Sequence, residues 1–166
     1  MISGVPFHRI IGPVRGNLAN EQALAAKRAQ GWSERVFMEA GIVEIIRHVL
    51  RDVSSGGLEE PRIEESNWDD DPQMFSAMIY SARDSTGQGV SVKGDLPRSE
   101  QLVSVADQVQ EWVIEENGPT NSNWPQCPWH PDNHPLSAQL VDGQGVWICP
   151  VRNTPVALIG ELSVKD

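Results

Sequence analysis

Apolar positions recur at three- and four-residue steps in two stretches of the chain and alternate with other side chains in a third, and these periods predict its main elements. Val36, Ala40, Val43, Ile46 and Leu50 trace one face of a helix, widened by Phe37, Ile42 and Val49; Ser33 can cap it and the run SSGG at 54–57 ends it. Leu102, Val105, Ala106, Val109, Trp112 and Val113 trace a second helix, capped by Asp95 or Ser99 and closed by Asn117-Gly118-Pro119. Between them Met74, Ser76, Met78 and Tyr80 alternate with Phe75, Ala77, Ile79 and Ser81, and DSTGQG supplies turn residues before Val90 and Val92, which predicts a β-hairpin. A further strand–turn–strand is expected in SAQLVDGQGVWIC, around its Asp-Gly turn.

The remaining segments lack a core-forming period. MISGVPFHRIIGPVRGN carries four glycines and prolines in its first 13 residues and reads as an extended arm. From Asn17 or Asn20, NEQALAAKRAQ is rich in helix formers and ends at Gly31, but only Leu18 and Leu24 are sizeable and apolar, a stripe too thin for a central helix. LEEPRIEESNWDDDP has seven acidic residues in fifteen and two prolines, and is expected to be a solvated connector with a short strand around Arg62 to Glu65.

Composition narrows the function classes. The chain has 166 residues, enough for a core, and no run approaches the ~18 apolar residues of a membrane span. Met1 to Pro13 lacks the basic region and apolar stretch of a secretory signal, so a cytoplasmic product is expected, with no membrane partner. With 13 Lys+Arg against 23 Asp+Glu the net charge is −10, which gives nucleic acid no electrostatic footprint. Asp69, Asp70 and Asp71 could attract Ca²⁺ or Mg²⁺, but the spacing of a calcium loop is absent; GQG lacks the spacing of a phosphate loop and reads as a hairpin turn. No G-x-S-x-G accompanies His8 or His48, so no catalytic triad is expected. Trp68, Trp124, Trp129 and Trp147 are read as a hydrophobic minicore in preference to a stacking platform.

The chemistry concentrates in CPWHPDNHP, residues 127–135, in a chain with two cysteines and four histidines. Cys127 and His130 have the C-x2-H spacing of a zinc knuckle, and the following hairpin folds Cys149 back towards them. Cys149-Pro150 repeats Cys127-Pro128, but Arg152, three residues on, never loses its proton and cannot be a ligand. His134 is the nearest remaining donor, giving Cys127-x2-His130-x3-His134-x14-Cys149 and one structural Zn²⁺. Two alternatives stand beside this set: the cysteines are packing thiols, or His134 stays out and leaves an open three-ligand site with Asp132 as fourth ligand or base. The H-x-E…P-C-x-x-C pattern of zinc deaminases and the H-E-x-x-H helix of metalloproteases are both missing, which favours structural over catalytic metal.

The span from Val105 to Leu162, with ADQVQEWVIEE, WPQCPWHPDNHPL, GVWICP and VALIGEL, resembles the C-terminal half of small uncharacterised proteins of actinobacteria and their bacteriophages. The resemblance implies a zinc-ribbon-like tail with Cys127, His130, His134 and Cys149 as candidate ligands, and assigns no activity. The expected architecture is α+β: an arm and docking helix (1–31), an α+β core of hairpin and helices (32–118) with the acidic connector at 58–72, and a small zinc-ribbon-like β module (119–166). An arm without a core of its own is expected to be held by other protein subunits, in a homo-oligomeric ring or among virion neighbours. The expected function is therefore non-enzymatic: a structural protein, most simply a bacteriophage virion component of the head-to-tail or tail region, assembled in the bacterial cytoplasm. A small cytoplasmic zinc-ribbon adaptor or regulator is the alternative, and a zinc hydrolase the third reading.

Overall fold

A computed structural model describes residues 41–118 and 122–163 of the chain. The expected arm and docking helix of 1–31, and Ser33 as a cap, lie outside these residues. The described fold is α+β, with two helices and two antiparallel three-stranded sheets.

Helix α1 occupies residues 41–55. Its buried apolar residues, Ile42, Val43, Ile45, Ile46, Val49, Leu50 and Val53, keep the three- and four-residue steps and extend the predicted face to Val53. The helix stops as SSGG predicts: Gly57 turns left-handed at φ 72°, the Leu58 amide donates to Val53 O at 3.2 Å, and the Gly57 amide donates to Ser54 O at 2.9 Å. These two crossed bonds satisfy carbonyls that the helix end would otherwise leave open.

Three strands follow: β1 (Arg62–Glu65), β2 (Met74–Tyr80) and β3 (Gly87–Lys93), ordered β1-β2-β3 and antiparallel throughout. Ala77, Ile79, Val90 and Val92 turn inward and are fully or almost fully buried, as strict alternation requires. Trp68 lies on this sheet: a Cβ at Gly89 would come within 2.6 Å of its ring, and its Nε1–H donates to Ala77 O at 3.3 Å.

Helix α2 (Arg98–Asn117) packs on both sheets. The expected caps are corrected here, since neither Asp95 nor Ser99 caps it. Pro97 is the N-cap residue, and its carbonyl accepts from the Glu100 and Gln101 amides at 2.9 and 3.0 Å, with Ser99 already inside the first turn. Proline's fixed φ suits a helix start without a side-chain acceptor. Gln108 holds β3 like an added strand, donating from Nε2 to Ser91 O at 2.8 Å while its Oε1 accepts from the Ser91 amide at 3.0 Å. Gln101 donates to Lys93 O at 3.0 Å on the same side.

The second sheet is ordered β4-β5-β6, with β4 (Ser137–Val141), β5 (Gln144–Cys149) and β6 (Thr154–Leu158) antiparallel. Asp142 and Gly143 join β4 to β5 with φ of 50° and 79°, the mirror-image turn that an Asp-Gly pair favours. Buried side chains of α1, the first sheet, α2, Trp124, Cys127, Leu136, Trp147, Cys149 and Ile159 form one continuous cluster. No helix among the described residues is long and apolar enough to cross a membrane.

Candidate metal centre

Between α2 and β4 the chain makes a loop whose two ends are drawn together. The Leu136 amide donates to Pro125 O at 2.7 Å, and Gln126 and Pro135 form an isolated antiparallel bridge. Beyond this neck the prolines and two local turns, His130 N to Cys127 O and Asn133 N to His130 O, each 3.2 Å, fold residues 127–134 back on themselves. Three of the four expected donors thus come from one short loop, and β5 delivers the fourth, Cys149, at its last residue.

The donor atoms of Cys127, His130, His134 and Cys149 all lie within 4.8 Å of one another. His130 Nδ1 is 3.5 Å from each sulfur and 3.1 Å from His134 Nε2, and Cys149 Sγ is 3.8 Å from His134 Nε2. A tetrahedral ion with bonds of about 2.3 Å to sulfur and about 2.0–2.1 Å to nitrogen places donors roughly 3.6 Å apart for a sulfur–nitrogen pair and roughly 3.3 Å apart for two nitrogens. These four separations lie close to those edges. The proton inventory points the same way: His134 Nδ1 faces Pro135 O at 2.7 Å and must donate to that carbonyl, so that in the neutral ring the lone pair is on Nε2, which faces His130 and Cys149. The four side chains can hold a metal ion.

Hydrogen bonds and local charge favour a thiolate at Cys149. Both cysteines are fully buried and unbridged, while the histidines are half-buried. Burial pushes the Cys149 thiol up, but the Arg152 amide at 3.4 Å, the Cys127 side chain, the Val151 amide and the Arg152 charge outweigh it and hold its pKa below the ordinary value. Arg152 thus stands where a ribbon would have a fourth ligand and serves the site through its backbone; its guanidinium lies 4.9 Å from the centre of the Trp129 ring.

The other sequence candidates lie elsewhere. Asp132 is exposed and outside the converging set. Asp71 of the acidic run accepts from the Gln73 amide at 2.9 Å, an ordinary turn contact. Of the four tryptophans expected to form a minicore, Trp124 and Trp147 meet edge to face at 5.8 Å, whereas Trp129 and Trp68 are 40% and 48% exposed. Two residues escaped the sequence reading. Gln110, buried on α2, donates from Nε2 to Trp124 O at 3.0 Å and Leu136 O at 2.7 Å. Asp52, buried on α1, accepts from Trp147 Nε1–H at 2.7 Å. A polar residue beside an apolar stripe was the available signal for both.

Compared with known proteins, the chain matches no family model, no curated protein and no solved structure.

Proposed function

We propose that the Cys127, His130, His134 and Cys149 cluster holds one structural Zn²⁺ in a non-enzymatic assembly protein that joins other protein subunits, as a bacteriophage virion component of the head-to-tail or tail region. The observation that carries the metal reading is the convergence of the four donors within 4.8 Å, with four of their six separations close to tetrahedral edges. Two sulfurs with two imidazoles in that geometry suit zinc, and four protein donors leave no position for a water. A closed site contributes folding free energy to the loop and hairpin and generates no hydroxide nucleophile. The assembly reading is supported by the Gly/Pro-rich sequence of residues 1–17, by the sparse Leu18 and Leu24 stripe, and by the resemblance to small uncharacterised proteins of actinobacteria and their bacteriophages.

Emission spectrometry on the purified protein should find about one zinc per chain, and Cys127→Ser or Cys149→Ser should remove most of it. His134→Ala should lower zinc affinity and melting temperature. Zinc-free protein of unaltered fold overturns the site; unchanged affinity in His134→Ala means an open three-donor centre and returns the hydrolase reading. Mass spectrometry of purified virions should find the chain among their components. Its confinement to a cytoplasmic complex would replace the virion by the adaptor.

A further inference from the structure

Gln110 sits in the middle of α2, between Val109 and Trp112 of the apolar stripe, and is 8% exposed. Its carboxamide nitrogen has two protons at a fixed angle, and both are used: one on Trp124 O at 3.0 Å, the other on Leu136 O at 2.7 Å. Those carbonyls belong to the two ends of the segment that carries Cys127, His130 and His134. A single planar amide therefore sets the span of the loop's mouth and ties it to a helix of the core. The bond from the Leu136 amide to Pro125 O and the Gln126–Pro135 bridge close the mouth within the loop itself, but neither fixes it to the rest of the molecule.

We propose that Gln110 is the positioning residue of the metal centre, holding the loop closed on α2 so that its three donors already face Cys149 when a metal arrives. The inference rests on the zinc reading above. Without this anchor only the packing of Trp124, Cys127 and Leu136 into the core would hold the loop, and the entropy of fixing its mouth would be subtracted from the binding free energy of the metal. The fold supplies its own control, because Gln108 on the same helix clamps the Ser91 backbone of β3 in a similar way but on the first sheet.

The test uses the full chain loaded with zinc, with affinity and dissociation rate read by transfer to a competing chelator well below the melting temperature. Gln110→Met, which keeps the volume and removes both donors, and Gln110→Glu, which keeps the shape but has at most one proton for the two carbonyls, should each lose about 10–100-fold in affinity and release zinc faster. Gln108→Met should stay within about 2-fold of wild type in zinc affinity, even where it melts earlier. Unchanged affinity in folded Gln110→Met, or an equal loss in Gln108→Met, overturns the positioning role. A wild-type chain that takes up no zinc refutes the metal site instead. A measurement on wild type alone covers the case in which Gln110 variants fail to fold: hydrogen exchange at the Leu136 amide should remain slow after zinc is stripped. Loss of that protection while the α2 amides keep theirs would equally overturn the proposal.

Discussion

Asp52 places a carboxylate, 1% exposed, among Val49, Val53 and Trp147. Three N–H groups converge on it, from Trp147 at 2.7 Å, Gly160 at 2.6 Å and Leu162 at 2.8 Å. Burial pushes its pKa up, those donors and the nearby His48 pull it down, and burial is the stronger. A carboxyl whose folded pKa is raised binds its proton more tightly in the folded state. Its contribution to stability is therefore full below the unfolded pKa and is lost as pH rises through the folded pKa. Asp52→Asn removes the titration and turns an NH₂ towards at least one N–H donor, which should cost about 1–3 kcal/mol at neutral pH. In urea unfolding at matched zinc occupancy, the stability gap between wild type and Asp52→Asn should widen as pH falls from 7 towards ~4. A gap that narrows on acidification would mean that the donors outweigh burial. The contrast with the metal ligands shows what a sequence exposes: Cys127, His130 and His134 are local in the chain and Cys149-Pro150 echoes Cys127-Pro128, so spacing alone suggests them. The partners of Asp52 lie 95 to 110 residues away, and on a helix rich in charge it resembles any solvated carboxylate.

Among the elements, the segment after β6 binds to α1 by polar contacts on both sides of a glycine. The Ile159 amide donates to Gly145 O at 3.0 Å, His48 Nε2–H donates to Ile159 O at 2.8 Å, and Asp52 receives the next two contacts. Gly160, at φ 88°, lies so close to α1 that a Cβ would come within 2.5 Å of the His48 ring and 2.9 Å of His48 O. Gly160→Ala should therefore destabilise the fold by about 1–3 kcal/mol, through both the left-handed backbone and the clash. Urea denaturation should show it as a lower midpoint with zinc content unchanged, and a neutral effect would mean that this segment does not bear on α1 in solution. The helices and both hairpins were legible because a period or an Asp-Gly turn marks each of them, whereas the short β1 was expected inside an acidic connector that carries neither. The start of α2 was not, since Asp95 and Ser99 both have the side chains of a cap and only the backbone at Pro97 decides between them. β6 carries no alternation that separates TPVAL from a tail, and its pairing to β5 comes from the register of that strand.

For the whole molecule, the unit from Val36 to Asp166 contains every described core residue. Deleting residues 1–31 should accordingly leave circular dichroism and zinc content of the remainder intact while abolishing incorporation into its assembly. A truncated chain that still assembles sinks the arm's role. That one helix serves both sheets was not readable from the Leu102–Val113 stripe, which accounts for a single face; Gln101 and Gln108 tie it to β3 and Gln110 to the loop before β4, and glutamine carries no hydrophobic signal. Those glutamines also decide how the first sheet can meet its surroundings. With Gln108 and Gln101 occupying the outward backbone groups of Ser91 and Lys93, strand addition is opposed along that part of β3, and among the described residues β1 is left with a neighbour on one side only. A stack of sheets needs two open sides per copy to propagate. Two copies meeting across β1 would form a closed pair, with the glutamine-occupied stretch of β3 on each outer side opposing further addition.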